Sequence, residues 1–83
     1  MIWTFQGERI RLARESKDLT QKQLADLIGV SPQQVSAWEL GNIKPGQDSL
    51  LKMVNTLGVA PRFFFVETAN FGNDLMPESI EAA

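Results

Sequence analysis

The stretch LTQKQLADLIGVSPQQVSAWELG, residues 19 to 41, holds two helical patterns separated by only three residues. Thr20 is a good N-cap for the first pattern, and Gln23 three positions later completes a capping box in its Gln form. Leu24, Leu27 and Ile28 then make the apolar stripe of a helix little more than two turns long. Gly29 is placed to end that helix, being able to adopt the left-handed conformation that a helix C-terminus favours. Ser31 caps the next helix, Pro32 fills its first turn where a missing N–H costs nothing, and Gln34 closes a second capping box. Val35 and Trp38 form the inward face of this second helix, which turns Gln33, Ser36, Ala37 and Leu40 away from the core.

So short a connection leaves no room to lay the two helices antiparallel, and they must cross steeply. A close crossing needs a small residue at the contact. Ala25, four residues before Gly29, supplies it, and Val35 packs into the same crossing. The second helix is then lifted off the body of the protein, where it can enter a groove about as wide as itself. The major groove of B-DNA is such a groove.

The remainder of the chain supplies a body for this corner. A first helix is expected from Phe5 or Gln6 to Ser16, with Ile10 and Ala13 inward and Arg9, Arg11 and Lys17 outward. Its third helix should end near Leu40 with Gly41 as the stop. A fourth should begin at Gln47 or Asp48, with Leu50, Met53, Val54 and Leu57 at i, i+3, i+4, i+7 spacing, and should stop at Gly58. Pro61 should open a short fifth helix that delivers Phe63, Phe64 and Phe65. Two of these rings are expected to seal the core and the third to serve a dimer contact or tail packing. Trp3 is a second loose apolar residue. The expected architecture is all-α and compact, five helices with no strand.

At 83 residues the chain suits one small domain, and 43% hydrophobic content fits a folded protein. Cys and His are both absent, which argues against disulfides, a metal site and the commonest general base. The acids and lysines fall on solvated faces or caps with no convergent pair, so no catalytic residue, cofactor or metal is expected. The N-terminus MIWTFQ lacks a basic region and a long apolar run, so neither a secretory signal nor a membrane span is expected, and a cytoplasmic location follows.

The net charge of −2 argues against a nucleic-acid partner, but it is unevenly distributed. Through Phe65 the chain has eight bases against six acids, giving +2. From Val66 onward it has four acids and no base, giving −4. Residues 1–66 are read as the folded domain, and residues 67–83 as an acidic tail expected to be flexible.

Residues from about Phe5 to Phe65 resemble the lambda-repressor-like, or Cro-type (XRE), helix-turn-helix family, whose phage and prophage regulators are well known. The resemblance rests on ERIRLARE, LTQKQLADLIGVS, VSAWELG, the Lys44-Pro45 loop, LLKMVNTLGV and the trailing phenylalanines. It implies a five-helix DNA-binding domain whose third helix reads bases. Thr20 and Gln21 match the positions that hold a DNA phosphate at the start of the second helix. Gln33 matches the main base-reading position; a Gln amide can bond adenine N6 and N7 together, a pattern only adenine presents in the major groove. Ser31, Pro32 and Gln34 sit at the helix tip, Ser36 lies further along the same helix, and Ala37 is placed for a thymine methyl. Asn42, Lys44 and Lys22 match backbone-contacting positions. Arg14 and Glu39 match a partly buried salt bridge tying the first helix to the end of the third. The chain departs from the better-known phage repressors at Leu40, where a polar phosphate-binding residue is common.

The implied function is a sequence-specific transcriptional regulator, a repressor binding a palindromic duplex as a homodimer, with no cofactor. Two alternatives are an antitoxin-like or adaptor protein whose tail holds another protein, and the N-terminal DNA-binding part of a longer regulator. With few bases near the groove, affinity should be modest and its salt dependence shallow.

Overall fold

A computed structural model describes residues 2–68 of the chain. In order these form strand β1 (Ile2–Phe5), helices α1 (Gly7–Ser16), α2 (Gln21–Ile28), α3 (Pro32–Glu39) and α4 (Gln47–Leu57), a 3-10 turn (Pro61–Phe64) and strand β2 (Phe65–Thr68). The two strands pair antiparallel, with Trp3 opposite Glu67 and Phe5 opposite Phe65. Most of the expected acidic tail, from residue 69 on, lies outside the described residues.

The expectation of an all-α, five-helix domain is corrected by this architecture, which has four α-helices and a small sheet. Pro61 does start a turn, but the turn is a single 3-10 segment of four residues. Phe65 already has extended dihedrals, φ −120° and ψ 144°. The run Phe65-Val66 is aromatic followed by β-branched, residues that suit a pleated surface better than a helix. Its partner, Ile2-Trp3-Thr4-Phe5, has the same character. The chain thus enters and leaves the helical body side by side.

Local signals place the helices. Thr20 Oγ1 accepts from the Gln23 backbone N–H at 3.0 Å, and Gln23 Oε1 accepts from the Thr20 N–H at 2.8 Å. Ser31 and Gln34 repeat the exchange at 3.1 and 3.3 Å. Each box satisfies donors that a helix start leaves without an intrahelical partner. Gly29 sits at φ 77° and ψ 34°, and its N–H donates to the Ala25 carbonyl at 2.8 Å. A side chain at this position would be strained, which is why the corner takes glycine.

The core is made where all four helices meet. Ile10 from α1, Leu24 and Ala25 from α2, Val35 from α3, Met53 from α4 and Phe64 from the turn are fully buried. Leu50 and Val54 pack against its edge. Leu27, expected in the stripe of α2, is instead 60% exposed, because Leu24, Ala25 and Ile28 already fill that face. Arg9, expected to point outward, lies with its guanidinium carbon 5.1 Å from the centre of the Phe63 ring and donates to the Phe63 carbonyl at 3.1 Å. A cation over an aromatic face is attracted by the ring quadrupole.

Helix α1 approaches the end of α3 so closely that only a residue without a side chain fits. A Cβ added at Gly7 would overlap the Trp38 carbonyl oxygen and stand 3.0 Å from that of Glu39. Beside this contact the same two helices are joined by charge. Arg14 Nε donates to Glu39 Oε2 at 2.6 Å and Nη2 donates to Oε1 at 3.1 Å. Arg14 Nη1 donates to the Leu19 carbonyl at 2.8 Å, pinning the α1–α2 connection. Both residues are buried, and the hydrogen bonds from Glu39 push the Arg14 guanidinium above its ordinary pKa despite the opposing cost of burial. The guanidinium stays charged at every physiological pH.

Two stability measurements follow. Gly7→Ala must displace backbone atoms of α3, so urea unfolding should report a loss of about 1–3 kcal/mol or more; an unchanged midpoint would refute the close approach. Glu39→Ala leaves a buried guanidinium without its carboxylate and should cost about 3–5 kcal/mol. Arg14→Met combined with Glu39→Leu removes both charges and should lose less than Glu39→Ala alone. Equal losses would show that the unpaired charge is not the source of the cost.

Candidate nucleic-acid interface

The features expected of a binding surface gather on the outer side of the α2–α3 corner. Val35 and Trp38 are buried in the core, so the helical period of α3 turns Gln33 outward, where it is exposed. Among the described residues the Gln33 side chain makes no hydrogen bond, which leaves its carbonyl and both amide N–H groups available to a partner. Ser36 and Ala37, a turn further on, are half-buried on the flank of the same face.

The remaining expected residues divide by whether the protein already engages them. Ser31 and Gln34 are exposed at the tip of α3, but each holds the other's backbone through the capping box. Pro32 is half-buried at the first position of the helix. At the start of α2, Thr20 is exposed, and its hydroxyl accepts the Gln23 N–H. Gln21 is half-buried, and its amide nitrogen donates to Glu39 Oε1 at 3.0 Å. The carboxylate that holds Arg14 therefore also orients Gln21. The sequence gives little warning of that contact, since the two residues are 18 positions apart.

The cations are sparse. Lys22 is exposed and reaches Asp26 at 3.1 Å, one helical turn on. Such a surface pair contributes little and leaves the ammonium accessible. Asn42 and Lys44 are exposed in the loop after α3. That loop is tied back to the helix, with the Asn42 N–H donating to the Ala37 carbonyl at 2.9 Å. Lys44 has no ion-pair partner among the described residues. Leu40 ends the helix at 73% exposure, an apolar side chain beside this polar surface.

The three phenylalanines separate. Phe64 is fully buried and is one of the rings that seal the core, so it offers no surface to a partner chain. Phe63 lies beneath Arg9. Phe65 meets Phe5 edge to face, with ring centres 5.8 Å apart, and borders a surface cleft with Trp3 and Arg62. No helix among the described residues is long and apolar enough to cross a membrane.

This arrangement has counterparts of known family. The chain is 36% identical over 62 residues to the SPbeta prophage-derived HTH-type transcriptional regulator YonR of Bacillus subtilis (strain 168), a match that takes in 75% of this chain and 57% of YonR. The structure of the P22 c2 repressor in complex with synthetic operator 9T superposes with a TM-score of 0.67 and 33% identity, over 70% of this chain and 88% of that one. The restriction-modification controller protein C.AhdI from Aeromonas hydrophila gives a TM-score of 0.66 and 34% identity, over 71% and 89% of the two chains. The chain spans about half the length of the curated relatives it matches, 57% and 45% for the first two. The model of one family, described as Helix-turn-helix, matches residues 10–64, and with these likenesses it shows that the chain belongs to the helix-turn-helix family.

Proposed function

We propose that this protein is a DNA-binding transcriptional regulator, a repressor that occupies a palindromic operator as a homodimer in the cytoplasm. The observation that carries the reading is Gln33. It is exposed and unengaged on a helix held at a fixed corner, with a donor and an acceptor that match the N6 and N7 of adenine. The likeness to a repressor solved on its operator supports the same placement. Residues 1–66 act as the DNA-binding domain on this reading, and residues 67–83 as an acidic appendage.

The other contacts follow from position. Ser31, Pro32 and Gln34 lead α3 into the major groove, with Ser36 beside them and Ala37 against a thymine methyl. Thr20 and Gln21 meet a phosphate at the start of α2, where backbone N–H groups and the helix dipole favour an anion. Glu39 sets the angle of the Gln21 amide for that contact. Lys22, Asn42 and Lys44 flank the groove and meet the backbone. One such module reads only a few base pairs. Two-fold symmetry doubles the site and spaces the two recognition helices about 34 Å apart. Occupancy of the operator excludes polymerase, with no cofactor in the mechanism.

The test is selection of bound duplexes from a random pool, run in parallel with Gln33→Ala. The substitution should cost about 1–3 kcal/mol and relax preference at one base pair in each half-site. The same selected sequence bound equally by both proteins would overturn the role of Gln33, and a pool that enriches nothing would overturn the regulator reading. Lys44→Ala should weaken binding about equally on all duplexes and lower the salt slope by about one. A sequence-selective loss would remove Lys44 from the backbone contacts.

A further inference from the structure

The last turn of α3 ends in a residue that the operator reading does not use. Leu40 is 73% exposed, the most exposed large apolar side chain among the described residues. It still follows helical geometry, with φ −80° and ψ −8°, and its N–H donates to the Ser36 carbonyl at 3.0 Å. Seven residues after Gln33, it falls within about 20° of the same line down the helix, beyond Ala37. Gln33, Ala37 and Leu40 therefore make one stripe, polar at the tip of α3 and apolar at its end. Ile43, 54% exposed, is brought back to this end of the helix, its N–H donating to the Ala37 carbonyl at 3.5 Å.

The chemistry of this end narrows what it can meet. From Ser36 to Ile43 the only charged residue is Glu39, which is buried and bonded to Arg14 and Gln21. No cation in this stretch can hold a phosphate, and an apolar side chain offers a phosphate nothing in place of its water. Base edges in the major groove present one apolar group, the C5 methyl of thymine. 5-Methylcytosine carries the same methyl at the same ring position. We infer that Leu40 is a specificity residue that packs on the C5 methyl of a pyrimidine in the bound site, at a base pair other than the one Gln33 reads. The inference rests on the proposed reading of α3 as the recognition helix, and it gives that helix an apolar contact at its far end.

Spacing separates the two contacts. At about 1.5 Å per residue, Leu40 lies about 10 Å along α3 from Gln33, a distance of about two to three stacked base pairs. Gln33 selects through hydrogen bonds and Leu40 through contact, so loss of one leaves the other in place. Burying one methyl group changes an equilibrium about three- to fivefold, which sets the size of the effect. Methylation of a cytosine at this position raises affinity by the same factor, so the domain responds to C5 methylation of its own site.

The experiment uses the full chain and a duplex that it selects from a random pool. Each thymine of that duplex is replaced in turn by deoxyuridine, which lacks only the methyl, and binding is measured for the wild type and Leu40→Ala. One thymine in each half-site should lose about three- to fivefold in the wild type and nothing in Leu40→Ala. At that position 5-methylcytosine should bind better than cytosine by the same factor, again in the wild type alone, which separates the methyl from the rest of thymine. Leu40→Met keeps an apolar side chain in place and should retain both differences, so the result does not hang on one variant. A selected site that holds no thymine, or whose thymines all tolerate deoxyuridine, would overturn the inference. So would cytosine and 5-methylcytosine bound alike, or a deoxyuridine penalty that persists in Leu40→Ala and thereby assigns the methyl to Ala37. A pool that enriches nothing sinks the regulator reading itself, whereas an enriched site indifferent to the methyl removes only the role of Leu40.

Discussion

The carboxylate of Glu39 is the point on which three helices depend. It takes two hydrogen bonds from Arg14 of α1 and one from Gln21 of α2, and it is itself the last residue of α3. A buried ion pair is not in general a source of stability, because desolvating two charges costs about as much as their attraction returns. What it supplies here is direction. An apolar contact between α1 and α3 would permit sliding by a fraction of a turn, whereas a forked guanidinium–carboxylate pair has one geometry. The close approach at Gly7, which brings the start of α1 against the Trp38 and Glu39 carbonyls, fixes the same two helices from a second point. Together they define the angle at which α3 leaves the body.

That rigidity bears on the α2–α3 corner. Two independent capping boxes start the helices at defined residues, and Gly29 ends the first at a defined turn. No long or loosely bonded loop intervenes, so the Gln33 side chain is carried on a backbone with little freedom of its own. In the role proposed for it, a residue held this way gives up little conformational entropy on binding beyond its own rotamers. The hydrogen bond from Gln21 to Glu39 extends the same economy to the side on which the proposal places a phosphate.

The legible parts of this fold are those written within a few residues. Thr20 with Gln23, Ser31 with Gln34, Pro32 after its cap and Gly29 at the turn are all signals of short range, and each corresponds to the hydrogen bonds observed. The buried faces of α3 and α4 followed from periodicity. The sheet did not, because its strands are four residues each and lie far apart in sequence, on either side of the helical segment. Neither is long enough to show an alternating pattern, and each exists because the other is beside it. Pro61 read as a helix start because proline suits that position equally in an α-helix and in a 3-10 turn. Gly7 carries no local signal at all; its need for a missing side chain arises only when α3 arrives. Arg9 was illegible for the same reason, its partner Phe63 being 54 residues away. Leu27 misled because an apolar residue at helical spacing can lie just past the edge of the buried stripe.

The charge distribution bears on the proposal that the domain acts in pairs. Lys22 and Lys44 are the lysines beside the corner, and Lys22 is shared with Asp26. Nonspecific affinity for duplex DNA grows with the number of phosphates neutralised, and few cations stand beside the corner to neutralise them. A protomer built this way gains less from the backbone and depends more on base contacts, which a helix of eight residues supplies in small number. Weak backbone attraction also limits occupancy of the many irrelevant sites in a genome, so discrimination is not lost with affinity. What a single protomer lacks is residence time. On the proposed homodimer reading, pairing two protomers doubles the few base contacts along with the few cations, which raises affinity for the paired site.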